Sequence, residues 1–180
     1  AYININALTT LAAMQMGLGV DGTGDLSSIS TAQVSAVNRL TAQALGLGLE
    51  DLPGIIPVTT LESGYNVADG LSAGEKVGAL LAALSGMDYI NGGNVQATLL
   101  ELSGQLTINV VGNSGVLGDT AIGMLVIGAE VTQARNSVDG NIGLPEKVMA
   151  LLGAVVGTAA QVAQMAVEAA VGSDLAPYLS

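Results

Sequence analysis

Residues 72–93 read SAGEKVGALLAALSGMDYINGG, and this stretch indicates the fold more clearly than any other part of the chain. Ser72 and Glu75 have the spacing of a capping box, in which each side chain satisfies a free backbone amide at the start of a helix. The apolar residues that follow recur at helical spacing and predict one buried stripe, made of Val77, Leu80, Leu81 and Leu84. Gly86 and then Asn91-Gly92-Gly93 predict the end of this helix.

The composition predicts a core made almost entirely of aliphatic side chains and alanine. Hydrophobic residues are 50% of the chain and aromatic residues only 2%, and there is no Phe, Trp, His or Cys. Such small and aliphatic residues suit close helix-on-helix packing. A length of 180 residues is typical of one domain with a substantial core, so we expect a single domain over residues 1–180.

The charge balance excludes several function classes. Four basic residues stand against 15 acidic ones, for a net charge of −11, so no basic patch can neutralise a run of nucleic-acid phosphates. The same shortage of cations disfavours docking on anionic lipid. Without His or Cys the chain lacks the usual catalytic triads and most zinc sites, so we expect no enzyme. The acidic surface can attract divalent cations.

Further helices are predicted on both sides of the opening stretch. Periodicity and capping signals place them at residues 8–16, 30–45, 94–102, 119–135 and 145–171, with Ser30 and Gln33 as a second capping box, and Asn94 and Asp119 as caps. The residues expected on the inner faces include Leu8, Leu11, Met16, Val34, Val37, Leu40, Val95, Leu99, Leu102, Ile122 and Leu125. The predicted class is therefore mainly α, a helical bundle of five or six helices.

Two short segments alternate apolar and polar residues as strands do. They are Ile3-Asn4-Ile5 and residues 106–110, whereas Ser114 falls in a segment that fits a turn. Because a lone two-stranded ribbon is marginal in water, the two strands either pair within one molecule or one of them adds to a strand of a neighbour. Assembly through the N-terminal segment is slightly favoured, since a preceding domain would join there.

A glycine-rich loop follows the first predicted helix and holds the only metal-site candidates. The run Asp21-Gly22-Thr23-Gly24-Asp25 resembles the start of a calcium loop, but Leu26 and Ala32 stand where an EF-hand needs Gly and Glu. A calcium site of another kind, formed by Asp21, Asp25 and backbone carbonyls, is one interpretation, and a solvated acidic loop with no cofactor is the other. Residues 17–22 match G-x-G-x-x-G but follow a helix rather than a strand, which favours a plain loop.

A second acidic group and the last helix each suggest a function that their context disfavours. Glu50, Asp51 and Glu62 lie on a long connection rich in Pro and Gly, where carboxylates are usually hydrated and unsuited to acid/base work.

Residues 148–171 are apolar enough to suggest a membrane span. However, they carry the polar stripe Gln161, Gln164 and Glu168, so we expect a largely buried bundle helix with Gly153 and Gly157 at a close crossing.

Several motifs together resemble helical modules of giant, repeat-containing bacterial surface adhesins of the biofilm type. They are Ala7-Leu8-Thr9-Thr10-Leu11, Gly70-Leu71-Ser72-Ala73-Gly74-Glu75, residues 81–88 (LAALSGMD), Asn91-Gly92-Gly93 and Ala97-Thr98-Leu99-Leu100. The similar part covers residues 7–11 and 64–103 best, and its motifs are caps and turns rather than catalytic groups. The resemblance implies an extracellular or cell-surface location and one module of a longer exported chain.

The resulting functional expectation is a structural or adhesive module of a bacterial cell-surface or secreted protein. Its partners would be neighbouring modules or copies of itself, together with an unidentified surface ligand. The first residues lack the charged region of a signal peptide, so we expect export to be directed by a segment outside these residues. The alternative is a calcium-dependent ligand-binding module that uses the Asp21–Asp25 loop.

Overall fold

The computed structural model describes residues 4–48, 50–58, 71–136, 143–171 and 174–178 of the chain. These residues form seven α-helices and one antiparallel β-hairpin, which confirms the predicted mainly helical class with a small two-stranded element. In chain order the elements are α1 (Ala7–Gln15), α2 (Thr31–Ala44), α3 (Ala73–Ile90), α4 (Val95–Gln105), β1 (Leu106–Asn109), β2 (Ser114–Leu117), α5 (Asp119–Arg135), α6 (Leu144–Val156) and α7 (Ala159–Ala170), with short 3-10 helices at Leu52–Gly54 and Ala176–Tyr178.

Side-chain caps explain where the early helices begin. The box predicted at the start of α3 is present: the Ser72 backbone N–H donates to Glu75 Oε2 over 2.7 Å, and the Glu75 N–H donates to Ser72 Oγ over 3.3 Å. Ser30 caps α2 in the predicted way, and Asn6 caps α1. These contacts satisfy amides that the first turn of a helix cannot satisfy itself.

Helix α5, rather than α3, is the centre of the bundle. Helices α3, α6 and α7 pack around it, and its residues are buried on every side: Ala121, Ile122, Gly123, Met124, Leu125, Val126, Ile127, Gly128, Ala129 and Val131. The Asp119 cap prediction is wrong in detail, because Asp119 is the first helical residue and Gly118 is the N-cap. A free backbone amide in the first turn of α5 is instead bound by a side chain at the end of α4, since the Ala121 N–H donates to Gln105 Oε1 over 2.7 Å.

Glycines bring α3 and α5 into backbone contact. A Cβ placed on Gly86 would overlap the carbonyl of Gly128, and one placed on Gly128 would overlap the carbonyl of Ala83. Gly86 therefore lies inside α3 at this crossing, and the expectation that it ends the helix is wrong; α3 continues to Ile90. Close to the crossing, Thr132 Oγ1 donates to the Ala82 carbonyl over 2.6 Å.

The predicted last helix is two helices. Gly157, with φ of 130°, ends α6, and Thr158 caps α7 by accepting the Gln161 N–H over 3.2 Å. Gly153 packs against the start of α7, where a Cβ would lie 2.6 Å from the Ala159 nitrogen, so it serves this bend rather than a crossing with another helix. The stripe predicted on this segment, Gln161, Gln164 and Glu168, is exposed as expected.

Within the described residues, no single helix is both long and apolar enough to cross a membrane. Only α6 and α7 taken together reach that length and composition, and they are bent by 107° at the break between them.

Burial agrees with most of the predicted inner faces and corrects four positions. Val77, Leu80 and Leu84 are at most 3% exposed, but Leu81 is only half-buried. Val95 was expected inside and is 50% exposed, whereas Thr98, one turn along α4, is buried. The other two corrected positions are Met16 and Val34, which are half-buried. The helical period places a stripe correctly but leaves its edges uncertain by one residue.

The hairpin joins two segments of which only one was predicted as a strand. β1 confirms the strand at residues 106–110, and it pairs antiparallel with β2, so Ser114 belongs to a strand and not to the turn. The other predicted strand is not formed where it is described: the Asn4 N–H donates to the Pro53 carbonyl over 2.9 Å, and Asn4 Nδ2 donates to the Ile55 carbonyl over 2.9 Å. Residues 1–3 lie outside the described residues.

Candidate functional site

The Asp21–Asp25 loop holds each of its two carboxylates in a local turn. Asp21 Oδ1 accepts the Thr23 hydroxyl over 2.6 Å and the Thr23 backbone N–H over 3.0 Å. Asp25 Oδ1 accepts the Ser27 N–H over 2.8 Å. Both side chains are exposed, and hydrogen bonds from the side chain and backbone of Thr23, and likewise of Ser27, hold the pKa of Asp21 and of Asp25 below the usual value of 3.8.

The geometry supplies few of the oxygen ligands that calcium needs. Calcium takes six to eight oxygens, usually including several carboxylates. Across the part of the chain that the structure describes, no group of three or more His, Cys, Asp or Glu side chains comes together. Asp21 and Asp25 would need backbone carbonyls and water to complete a site, so the calcium interpretation stays a prediction. The G-x-G-x-x-G segment at residues 17–22 lies in the connection between α1 and α2 and opens no helix.

The second acidic group is exposed at its described residues. Glu50 and Asp51 are exposed beside the 3-10 helix Leu52–Gly54, and Glu62 lies outside the described residues. Two exposed carboxylates beside a short 3-10 helix form no buried acid/base pair.

The structure brings together two buried charges that the sequence analysis did not pair. Glu75 on the first turn of α3 is 6% exposed, and Lys147 on the first turn of α6 is 4% exposed. Burial lowers the pKa of Lys147, and the charges of Glu75 and Glu146 partly oppose that shift. Since Glu75 also completes the α3 capping box, its attraction to Lys147 acts between the starts of two helices, which is a structural role.

A second feature that the sequence analysis missed is an exposed surface on the hairpin. We call Thr107, Asn109, Val110, Val111 and Val116 the hairpin surface. Val111 is fully exposed, Val116 is 58% exposed and Val110 is 42% exposed. Residues 102–118 contain no charged residue, although the whole chain carries −11. The sequence does contain a signal for this surface, because residues 102–118 include several β-branched residues and no charge. Residues 114–117, however, do not alternate apolar and polar residues, so they were not recognised as the partner strand.

The opposite face of the hairpin is buried against α2. Leu106 and Leu117 are 6% and 4% exposed, and a Cβ on Gly115 would overlap the Leu40 carbonyl of α2. The sheet is therefore held on one face by α2 and exposes Thr107, Asn109 and Val116 on the other, while Val110 and Val111 lie in the turn that joins the two strands.

Comparisons with protein-family models, with curated proteins and with solved structures find no match to this chain. The adhesin-like resemblance thus remains a prediction from the sequence motifs.

Proposed function

We propose that this chain is a structural and adhesive module of a bacterial cell-surface or secreted protein, and that the hairpin surface is its contact region. The role is non-catalytic. The observation that carries this proposal is an exposed, uncharged and valine-rich surface on a strongly acidic protein. Large apolar side chains exposed together on one small element can mark an interaction site.

The charge distribution supports contact at this surface. A net charge of −11 makes most approaches between acidic molecules unfavourable. Residues 102–118 contribute none of that charge, so the approach of another acidic surface to the hairpin surface brings no like charges of this segment together. A valine side chain that is fully exposed, as at Val111, gains most when a partner covers it.

The rest of the described fold is closely packed, as a structural module requires. The glycine contact between α3 and α5 joins two helices at backbone distance, and the hairpin lies directly on α2. At the other end of the chain, two hydrogen bonds from Asn4 hold the first described residue to the segment around Leu52–Gly54. The extracellular location and the neighbouring modules come from the motif resemblance given above.

Surface display on a non-adherent bacterium tests the proposal. We expect displayed chains to cause cell clumping or attachment, and Val116→Glu to reduce it strongly, because the substitution places a charge in the contact region. Val167→Glu on α7 is the matched control: Val167 is 54% exposed against 58% for Val116, and both changes add one negative charge. Unchanged far-ultraviolet circular dichroism would show that both variants are folded. Equal adhesion of the unmodified chain and Val116→Glu would contradict the proposal.

A further inference from the structure

The register of the hairpin defines which backbone groups of its strands point outward. Leu106 pairs with Leu117 and Thr107 with Val116, and the ladder extends past these strands because the Gly118 N–H donates to the Gln105 carbonyl over 2.9 Å. Hydrogen-bonded and non-hydrogen-bonded pairs alternate in an antiparallel ladder. Thr107 and Asn109 therefore face β2 with their N–H and C=O groups, whereas Leu106 and Ile108 direct theirs to the outer edge of β1.

Only some of the backbone N–H and C=O groups at the outer edge of β1 have a hydrogen-bond partner among the described residues. The Leu106 N–H donates to the Ser103 carbonyl at the end of α4. Among the described residues no hydrogen bond is made by the Leu106 carbonyl at this edge or by the N–H and carbonyl of Ile108. The edge of β2 is less open, because its outward residues Gly115 and Leu117 are buried and α2 packs mainly on that strand.

Although β1 has only four residues, its edge lacks the charged side chains and proline that commonly prevent strand pairing. Natural edge strands are blunted by charged side chains, proline, bulges or a covering element. Residues 102–118 contain no charge and no proline. Residues 105–111, QLTINVV, are rich in β-branched residues, which is the composition of segments that pair readily with their own kind.

From this geometry we propose that the outer edge of β1 pairs with the same edge of a second copy of the chain. This inference rests on the proposed function, for which it names the partner. A two-fold axis at Ile108 places the Ile108 N–H of each copy against the Ile108 carbonyl of the other. The Val110 N–H, which also has no partner among the described residues, then faces the Leu106 carbonyl. All four bonds use groups that have no hydrogen-bond partner within the described part of the chain, and the result is one four-stranded sheet.

The second copy fits this edge better than an unrelated strand because the pairing is symmetric and uncharged. On the exposed face, Thr107 of one copy lies opposite Asn109 of the other, so no like charges meet. Because α2 packs mainly on β2, the two copies of α2 lie toward the outer strands of the new sheet.

The contact is short, so we expect a weak dimer, with Kd on the order of 10⁻⁴ M. Display of many copies on one surface raises effective concentration, and avidity can then exceed the single affinity by about 10²–10⁴-fold. Weak pairing in solution is therefore compatible with firm adhesion between surfaces.

Sedimentation analysis with amide hydrogen exchange tests this inference on the purified chain. We expect a monomer–dimer equilibrium between about 10 μM and 1 mM. The Ile108 amide should become protected as the dimer forms, whereas the Leu106 amide is protected at all concentrations by Ser103. Thr107→Glu should weaken dimerisation by about tenfold or more. Ser114→Glu is the control, since it adds the same charge on the same face but lies on β2, one strand farther from the new contact.

Three results would overturn the inference: a chain that stays monomeric at about 1 mM, a dimer that leaves the Ile108 amide unprotected, or equal weakening by the two glutamate variants. These outcomes are separate from the test of the proposed function. If displayed chains cause clumping that Val116→Glu removes, while the purified chain stays monomeric, adhesion stands and the partner is a different molecule. If the dimer forms as described and cells do not clump, the strand pairing stands and the adhesive role fails.

Discussion

The substitution Gly86→Ala should destabilise the protein although alanine is the better helix former. In an exposed helix interior, Gly→Ala gains about 1 kcal/mol. At position 86, however, the new Cβ would lie 2.6 Å from the carbonyl carbon of Gly128 and 2.9 Å from its Cα. These are backbone atoms, so no rotamer change can relieve the overlap and α3 must move away from α5. Overpacking of this kind typically costs about 1–3 kcal/mol and occasionally more. The overpacking cost minus the propensity gain leaves a net loss of up to about 2 kcal/mol, which is what we expect.

Gly104→Ala is the matched control for this prediction. Gly104 lies in α4, is exposed, and has no neighbouring atom within 4 Å of an added Cβ. The same chemical change should there stabilise the protein by up to about 1 kcal/mol. Denaturant unfolding gives both free energies, and in a chain of this size each kcal/mol shifts Tm by about 2–4 °C.

The opposite signs of the two variants are the critical result. If Gly86→Ala is as stable as Gly104→Ala, or more stable than the unmodified chain, α3 and α5 do not meet in backbone contact at this point. The packing argument for a rigid framework would then be wrong. A small loss at position 86 with unchanged denaturant dependence would still support the crossing, because it would show partial relief by helix movement.

Three further predictions address the core, the acidic loop and pH. Leu80→Ala should lower the free energy of unfolding in urea by about 2–5 kcal/mol, and Leu81→Ala should lower it clearly less because Leu81 is only half-buried. Equal losses would contradict the buried face assigned to α3. If the acidic loop binds calcium, millimolar calcium should raise Tm relative to chelator and Asp25→Asn should remove the gain, whereas identical melting curves would leave a solvated loop. Hydrogen bonds from Thr23 lower the pKa of Asp21 from 3.8, so the stability that Asp21 contributes is present above pH 3.8 and is lost as pH falls through the folded pKa. Asp21→Asn should therefore flatten this part of the stability–pH curve. An unchanged slope would argue against the Thr23 contacts.

Features predicted correctly from the sequence depend on neighbours along the chain. The capping boxes at Ser30 and Ser72 involve residues three positions apart, and the buried stripe of α3 follows the helical repeat. In the Asp21–Asp25 loop the carboxylates are held by Thr23 and Ser27, two residues along the chain, whereas calcium binding there stays a prediction. None of these contacts needs another part of the fold.

The hairpin surface was missed because its definition needs a partner strand. Leu106–Asn109 alternates clearly, but Ser114–Leu117 reads SGVL and contains a glycine that a strand pattern disfavours. That glycine is required by the close approach of the Leu40 carbonyl from α2, which lies far away in sequence. The exposed side of the sheet could be recognised only once its buried side was known.

By itself, the amino-acid sequence determined the helical class, the capped starts of α2 and α3, the acidic surface and the lack of histidine and cysteine chemistry. Composition and local hydrogen bonding are sufficient for these properties. Only the tertiary structure decided that α5 is central, because a helix apolar on all sides has no stripe to orient it. It also decided that Gly86 forms a crossing and Gly157 a bend. A glycine permits close approach and positive φ equally, and the surrounding packing selects between them.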